Sequence, residues 1–197
     1  MSFQLVRNFE RALADYFGAP YAVATDCCTH ALELSMRLRN PTELFCPTHT
    51  YVSVPMTMHK LGRQWQWCKD HWHDMYDIGG DIIDAAVWWK PGGYLAGSLM
   101  CLSFQYKKPL NIGRGGAILC DNLAEYQMLK AMSYDGRLDN DVPWAEQTIS
   151  TMGYHYYMTP EQAQIGLDKL PHVKQTRRWD WHDYPDLSKL PVWQDLQ

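Results

Sequence analysis

Apolar residues along the chain recur with two different spacings, and the alternation of these spacings predicts a layered α/β fold. Apolar residues three or four apart predict helices over residues 3–17, 28–38, 51–62, 122–133 and 159–170. Short apolar runs predict strands over residues 21–25, 44–47, 65–68, 81–86, 98–104 and 115–120. Because helices and strands alternate, we expect three layers, with a mostly parallel sheet flanked by helices.

Residues that favour helix ends support these boundaries. Gly18 can end the first helix in the left-handed conformation. Thr25 and Asp26 are good caps for the start of the second helix. Thr159 and Gln162 have the spacing of a capping box, which predicts a well-defined start for the last helix.

Composition narrows the class of protein. The chain has 197 residues, of which 46% are hydrophobic and 20% charged, so we expect one domain with a buried core. A net charge of −4 gives no reason to expect nucleic acid or an anionic membrane as partner, and no apolar run could span a bilayer. The N-terminus lacks a secretion signal and the six cysteines lack disulfide spacing, which predicts a reduced, cytoplasmic protein.

The periodic pattern stops near residue 170. We therefore predict an α/β domain over residues 1–170 and an irregular C-terminal tail over residues 171–197. The chain has nine tryptophans, which crowd into residues 65–89 and the tail. Tryptophan is enriched in large flat contacts, so these segments are candidates for self-association.

Five segments carry a resemblance to a known family when they are taken in order. They are YAVATDCCTHALELS, CPTHTYVSVPMTMHKLG, DIIDAA, SFQYKKPLNIGRGGAIL and GYHYYMTPEQAQIGLDKL. Together they resemble the DegT/StrS-type sugar aminotransferases, which are pyridoxal-phosphate (PLP) enzymes of the aspartate aminotransferase fold, fold type I. The resemblance implies a minimised form of the large domain of that fold and PLP as the cofactor.

The resemblance also implies which residues would hold the reactive part of PLP. Lys108 stands at the position of the Schiff-base lysine, whereas Lys107 is expected to be solvated. Asp84 would face the pyridine nitrogen, and a strand-end acid lies where ligands collect in parallel sheets. Tyr51 matches the aromatic residue that stacks on the PLP ring.

A second group of residues would hold the phosphate. Thr29 and Ser103 would offer hydroxyls beside the backbone N–H groups of a helix N-terminus. Cys28 takes the place of a family glycine. His155 stands where the family has an asparagine that reaches the partner subunit's phosphate, and Arg114 could contact phosphate or a substrate carboxylate.

The chain departs from the family pattern at several positions. Val87 replaces a polar residue near the cofactor's phenolic oxygen, and Tyr157 replaces an arginine. A strand and a helix are missing before residue 81, and the C-terminal small domain is almost absent. We expect either the dimer partner or an unfamiliar set of groups to complete the site.

The resemblance implies a PLP-dependent aminotransferase that moves an amino group from an amino acid, glutamate for example, to a keto-sugar or similar carbonyl compound. It also implies a homodimer with a shared active site. The alternative is a catalytically degenerate protein that keeps only PLP binding or the dimeric scaffold. A further hypothesis is a zinc site, since four side chains with metal-binding atoms lie close together in sequence: Cys68, His71, His73 and Asp74.

Overall fold

The structure, a computed structural model, describes residues 3–140, 142–175 and 177–196. Its helices are α1 (Gln4–Phe17), α2 (Cys28–Arg39), α3 (Ser53–Lys60), α4 (Leu123–Ser133) and α5 (Pro160–Lys169). Its strands are β1 (Tyr21–Thr25), β2 (Leu44–Pro47), β3 (Trp65–Cys68), β4 (Tyr76–Asp77), β5 (Ile82–Asp84), β6 (Leu99–Ser103) and β7 (Gly116–Cys120). Every predicted helix and strand is present, with its ends within two residues of the prediction.

The described strands form a five-stranded sheet, in the order β1-β7-β6-β5-β4, and a separate parallel pair of β2 and β3. In the larger sheet only β5 and β6 run parallel, and the other three pairings are antiparallel. The expectation of a mostly parallel sheet is therefore wrong, because the sheet is mixed. Residues 104–115 join β6 to β7 without a helix, so the chain turns back beside β6 instead of crossing over the sheet.

Strand β4 lies within residues 69–80, where the sequence predicts no regular structure. The turn that creates it contains Gly79 and Gly80, with φ values of 108° and 67°. Glycine adopts these conformations far more readily than other residues do. The turn folds Tyr76 back beside Asp84, so a strand of two residues forms at the sheet edge.

Helices cover both faces of the larger sheet. Along β7, Ala117 and Leu119 pack in the cluster that contains α1 and α5, whereas Ile118 and Cys120 pack in the cluster that contains α2, α3 and α4. This period of two is what a strand buried on both faces requires. The three predicted layers are therefore confirmed. No helix in the described ranges is both long and apolar enough to cross a membrane.

Two of the three predicted helix ends are confirmed. Gly18 ends α1 in the left-handed conformation at φ 72°, and Thr159 forms a capping box with Gln162 at the start of α5. The prediction for α2 is wrong, because its N-cap is Cys27 and no side chain caps the helix. The carboxylate of Asp26 binds other side chains, and the first N–H groups of α2 are left for other partners.

Gly166 of α5 gives a test of how tightly α1 and α5 pack. A Cβ at this position would lie 2.5 Å from Cζ of Phe9, which is fully buried. We expect Gly166→Ala to lower the free energy of unfolding by about 1–3 kcal/mol through overpacking, although alanine has the higher helix propensity. Urea unfolding measures the change.

A matched background identifies the cause. In a Phe9→Leu protein the ring is gone, so Gly166→Ala should cost less there than in the wild type. An alanine variant that is more stable than the wild type would contradict the packing argument.

Candidate active site

A cavity of about 570 Å³ opens at the carboxyl end of the parallel strands β5 and β6. Since parallel strands end at the same edge of a sheet, their last residues, Asp84 and Ser103, both line the cavity. The N-terminus of α2, the start of α3, residues 105–108 and residues 179–184 supply most of the remaining wall. The volume lies within the roughly 300–1,000 Å³ that is usual for small-molecule sites.

Asp84 brings a buried carboxylate into this cavity. Its Oδ2 accepts a hydrogen bond of 2.6 Å from the Tyr76 hydroxyl, and its Oδ1 accepts one of 3.0 Å from the Ala86 N–H. Burial raises the pKa of Asp84, and these hydrogen bonds and the attraction of Lys108 offset only part of that effect. The carboxylate is therefore held in place but lacks a full charge partner.

Sequence reasoning missed the partners of this carboxylate. The Tyr76 hydroxyl also contacts the hydroxyl of Thr50, which fixes the direction of the phenol. Burial, together with the negative charge of Asp84, raises the pKa of Tyr76 well above its usual value, so Tyr76 is a neutral donor. The signal that could have revealed it is the Gly79–Gly80 turn, which returns the chain to β5.

Lys108 approaches the cavity from the segment between β6 and β7. Its Nζ donates a hydrogen bond of 3.3 Å to the Tyr184 hydroxyl and lies 5.4 Å from the ring centre of Trp179. Burial lowers the pKa of Lys108, although the attraction of Asp84 opposes this shift. The neighbouring Lys107 is exposed, and its Nζ lies 5.5 Å from the ring centre of Tyr106. The two lysines thus occupy different environments.

Hydroxyl groups and free backbone N–H groups meet at the N-terminus of α2. The Thr29 hydroxyl lies 2.8 Å from the Ser53 hydroxyl, and Ser53 is a lining residue that sequence reasoning missed. A Cβ on Gly116 would lie 2.4 Å from the carbonyl carbon of Cys27. Strand β7 therefore starts against the backbone of this helix terminus, where uncapped N–H groups favour an anion.

Cys28 fills the space that a glycine would leave open, but its thiol points toward β6. Its Sγ lies 3.7 Å from the carbonyl oxygen of Cys101, to which it donates a hydrogen bond. Burial raises the pKa of Cys28 well above its usual value, so the thiol stays neutral. A neutral thiol adds no charge to the anion site at the N-terminus of α2.

The remaining candidates lie at the rim of the cavity or outside it. Tyr51 lines the cavity and is 54% exposed. Arg114 also lines it, and its Nη2 donates a hydrogen bond of 2.9 Å to Oδ2 of Asp26. His155 lies away from the lining residues, with 71% of its side chain exposed and Nδ1 3.1 Å from Asp135. The structure thus brings together all the predicted residues except His155.

The C-terminal tail forms part of the cavity wall, which the sequence pattern did not predict. The Trp179 N–H donates to Asp74 Oδ1 at 2.8 Å, and the Asp74 N–H donates to the Trp179 carbonyl at 2.8 Å. His49 Nδ1 donates to the Tyr184 carbonyl at 2.8 Å. These bonds hold the aromatic side chains of Trp179 and Tyr184 in the cavity.

The zinc hypothesis receives no support from the described residues. His71 stacks on Trp181 with ring centres 4.0 Å apart, and the four side chains of the proposed set do not converge. A different trio, Asp26, Cys27 and His30, has its potential ligand atoms within 4.8 Å of one another. Burial opposes charge on His30, but hydrogen bonds to Asp26 and Cys27 raise its pKa to about 9, so the imidazole is protonated and paired with Asp26 at neutral pH and is not available to bind a metal ion.

Comparison of the sequence with family models identifies the family. The model of the DegT/DnrJ/EryC1/StrS aminotransferase family matches residues 1–88 and 90–184. The chain belongs to this family, which confirms the predicted resemblance. Among curated proteins, none matches this sequence.

Solved structures show the same fold. A 3-amino-5-hydroxybenzoic acid synthase is 20% identical with a TM-score of 0.70, over 86% of this chain and 56% of that chain. The PLP form of Spr1654 from Streptococcus pneumoniae is 18% identical, with a TM-score of 0.68, over 86% and 59%. DesI, in the presence of its TDP-sugar product, is 21% identical with a TM-score of 0.66, over 87% and 54%. The fold is thus that of fold type I, and the chain spans little more than half of these structures.

The hydrogen bond between Tyr76 and Asp84 leads to a prediction about pH. Tyr76→Phe removes a donor, so the pKa of Asp84 should rise further above its unfolded value. A raised carboxyl pKa means that stability falls as pH rises from the unfolded pKa through the folded one. The variant should therefore lose more stability at pH 7 than at pH 4, as measured by urea unfolding.

Ser98→Ala is the matched control. The Ser98 hydroxyl donates to the carbonyl oxygen of Leu95, which does not titrate. Its loss should lower stability by a similar amount at both pH values. An equal loss at both values in Tyr76→Phe would show that Asp84 does not depend on this bond.

Proposed function

We propose that this chain is a PLP-dependent aminotransferase that moves an amino group from an amino acid to a carbonyl compound. The observation that carries the proposal is the meeting of a lysine amine, a buried carboxylate and an uncapped helix N-terminus in one cavity. Those are the groups that PLP requires: an amine to bond, an acid for its pyridine nitrogen and an anion site for its phosphate.

The cavity residues fit the cofactor in charge and in arrangement. Asp84 would hold the pyridine nitrogen, and Thr29, Ser53 and Ser103 would hold the phosphate together with the N–H groups of α2. The close approach of Gly116 to Cys27 supports this, because a side chain there would displace the helix terminus. When bound, PLP supplies an electron sink for the charge that develops on the substrate carbon.

Asp84 is suited to stabilise a cation inside the cavity. Its raised pKa reports the cost of burying a carboxylate without a full charge partner. A protonated ring nitrogen beside Oδ1 or Oδ2 would lower that pKa and keep the carboxylate ionised. The hydrogen bonds from Tyr76 and Ala86 hold the two oxygens in place for this contact.

Lys108 is suited to act as the reacting amine. Its lowered pKa increases the fraction of uncharged Nζ near neutral pH, and an uncharged amine is both nucleophile and base. Nζ would bond to the cofactor at rest and would move a proton to or from the substrate carbon during transfer. Lys107, which is exposed, is assigned no part in this chemistry.

The substrates belong to the proposal as well. A keto-sugar acceptor is supported by the family and by DesI, which was solved with a TDP-sugar product. Glutamate is the expected donor. Aromatic side chains in the cavity suit an acceptor with a flat apolar face, and they include Trp72, Trp179 and Tyr184.

We also propose a cytoplasmic homodimer with a shared active site. His155 lies outside the cavity of its own chain and is well exposed, so its ring is accessible to the phosphate in a partner although Nδ1 contacts Asp135. Exposed apolar side chains precede it in residues 138–152, including Trp144 at 66% and Met152 at 75% exposure. Exposed apolar side chains that lie close together are typical of surfaces that bind another protein chain.

A protein that binds PLP without catalysis is the second candidate. Val87 favours it, because this buried residue lines the cavity and offers no hydrogen bond where the family has a polar group. The two candidates differ in one property, which is whether a bound cofactor accepts an amino group from a donor.

Lys108 and Lys107 allow a matched test of cofactor attachment. We expect incubation with PLP followed by borohydride to fix the cofactor on Lys108, as located by mass spectrometry of peptides. Lys107→Ala should keep the labelling, whereas Lys108→Ala should lose it. Equal labelling of several lysines, or labelling that survives in Lys108→Ala, would contradict the assignment.

Addition of glutamate to the PLP-loaded protein separates the enzyme from the binder. We expect the absorbance of the bound cofactor to change to that of its amine form, pyridoxamine phosphate (PMP). Asp84→Asn should slow this conversion by about 100-fold or more, since it removes the charge that stabilises the ring nitrogen. A loaded wild-type protein that stays unchanged with glutamate and other amino acids would favour the non-catalytic candidate.

A further inference from the structure

Residues 177–184 of the tail bring charged and aromatic groups to the reacting lysine. The Lys108 Nζ donates to the Tyr184 hydroxyl at 3.3 Å and lies 6.0 Å from the centre of the Tyr184 ring. Trp179 is on the same side, with its ring centre 5.4 Å from Nζ. Both aromatic faces attract the ammonium form of the amine, and this attraction adds to the hydrogen bond.

The tail backbone is fixed well enough to make this contact specific. Beyond the bonds of Trp179 and Tyr184 described above, the Leu187 N–H donates to the Thr48 carbonyl at 2.7 Å. The Tyr184 ring also packs on Trp72, with ring centres 5.6 Å apart. Tyr184 is thus anchored from both its backbone and its ring, and its hydroxyl is the part left to interact with Lys108.

We propose that Tyr184 is a positioning residue that keeps the Lys108 amine inside the cavity when the amine is not bonded to another group. A neutral phenol can accept a hydrogen bond from an ammonium and can donate one to an uncharged amine. Tyr184 is therefore a partner for Nζ in both protonation states. This inference rests on the proposed function, in which Lys108 is the reacting amine.

The electrostatic surroundings keep the phenol neutral. Burial raises the pKa of Tyr184, and the charge of Asp84 adds to the shift. Arg177 acts in the opposite direction but does not outweigh these effects. The other titratable groups that act on Lys108 or Tyr184 are Cys28 from α2, Lys107 beside Lys108 and Asp183 from the tail.

Tyr184→Phe tests the proposal because it removes the hydroxyl and keeps the ring. Trace labelling of the cofactor-free protein with acetic anhydride over a pH series reports each amine through mass spectrometry. The uncharged Nζ attacks the acyl carbon, acetate leaves and the amine loses a proton to solvent. We expect the midpoint for Lys108 to fall by about half to one pH unit in the variant, since a hydrogen bond stabilises the ammonium more than the amine.

Tyr106→Phe is the matched control, because Tyr106 lines the same cavity and is 58% exposed. It should leave the midpoint for Lys108 unchanged, and the extent of acetylation of Lys107 should be the same in all three proteins. An unchanged Lys108 midpoint in Tyr184→Phe would overturn the proposal. Since PLP labelling of Lys108 is measured separately, that result would leave the proposed function intact.

A double-mutant cycle gives an independent measurement. The changes in unfolding midpoint caused by Tyr184→Phe and by Lys108→Met should not sum to the change in the double variant. The changes caused by Tyr106→Phe and by Lys108→Met should sum to the change in their double variant. Additive effects for the first pair would overturn the proposal even if the labelling data were altered by a change in the fold.

Discussion

The buried carboxylate of Asp84 is the constraint on which the rest of the site depends. Removing a carboxylate from water costs several kcal/mol unless hydrogen bonds or a charge partner offset it. Here the Tyr76 hydroxyl and the Ala86 N–H supply two hydrogen bonds, and Lys108 supplies a partial charge partner. The remaining cost raises the pKa of Asp84, which makes the cavity receptive to a cation.

Three backbone features bring these groups together. The parallel pairing of β5 and β6 puts the last residues of both strands at one edge of the sheet. The turn at Gly79 and Gly80 returns Tyr76 to that edge. The close approach of Gly116 to α2 then places the helix N-terminus beside it. Each feature depends on glycine or on strand direction, and a side chain at Gly116 would displace the helix start.

Sequence reasoning recovered the elements of the fold and most of the cavity, for identifiable reasons. The resemblance to the family implied Lys108, Asp84 and Thr29 as site residues, and the regular elements beside them explain why the fold brings them to one cavity. Tyr76 was missed because a strand of two residues leaves no periodic signal. The sheet direction was also missed, since strand direction depends on how segments connect and not on apolar spacing.

The tail has a defined position on the domain although its sequence has no periodic apolar pattern. Residues 179–184 lack a repeating apolar pattern because they contact the domain through individual hydrogen bonds and ring contacts. Each such contact depends on one residue of the domain and one residue of the tail, for example His49 and Tyr184. These contacts leave no pattern in the sequence, so only the structure reveals them. Of the two expected ways to complete the site, these tail residues are candidates for the unfamiliar set of groups, and the contribution of a dimer partner stays a prediction. Aromatic rings of the tail lie next to the Lys108 amine, and burial of this amine lowers its pKa, which favours the uncharged state of Nζ.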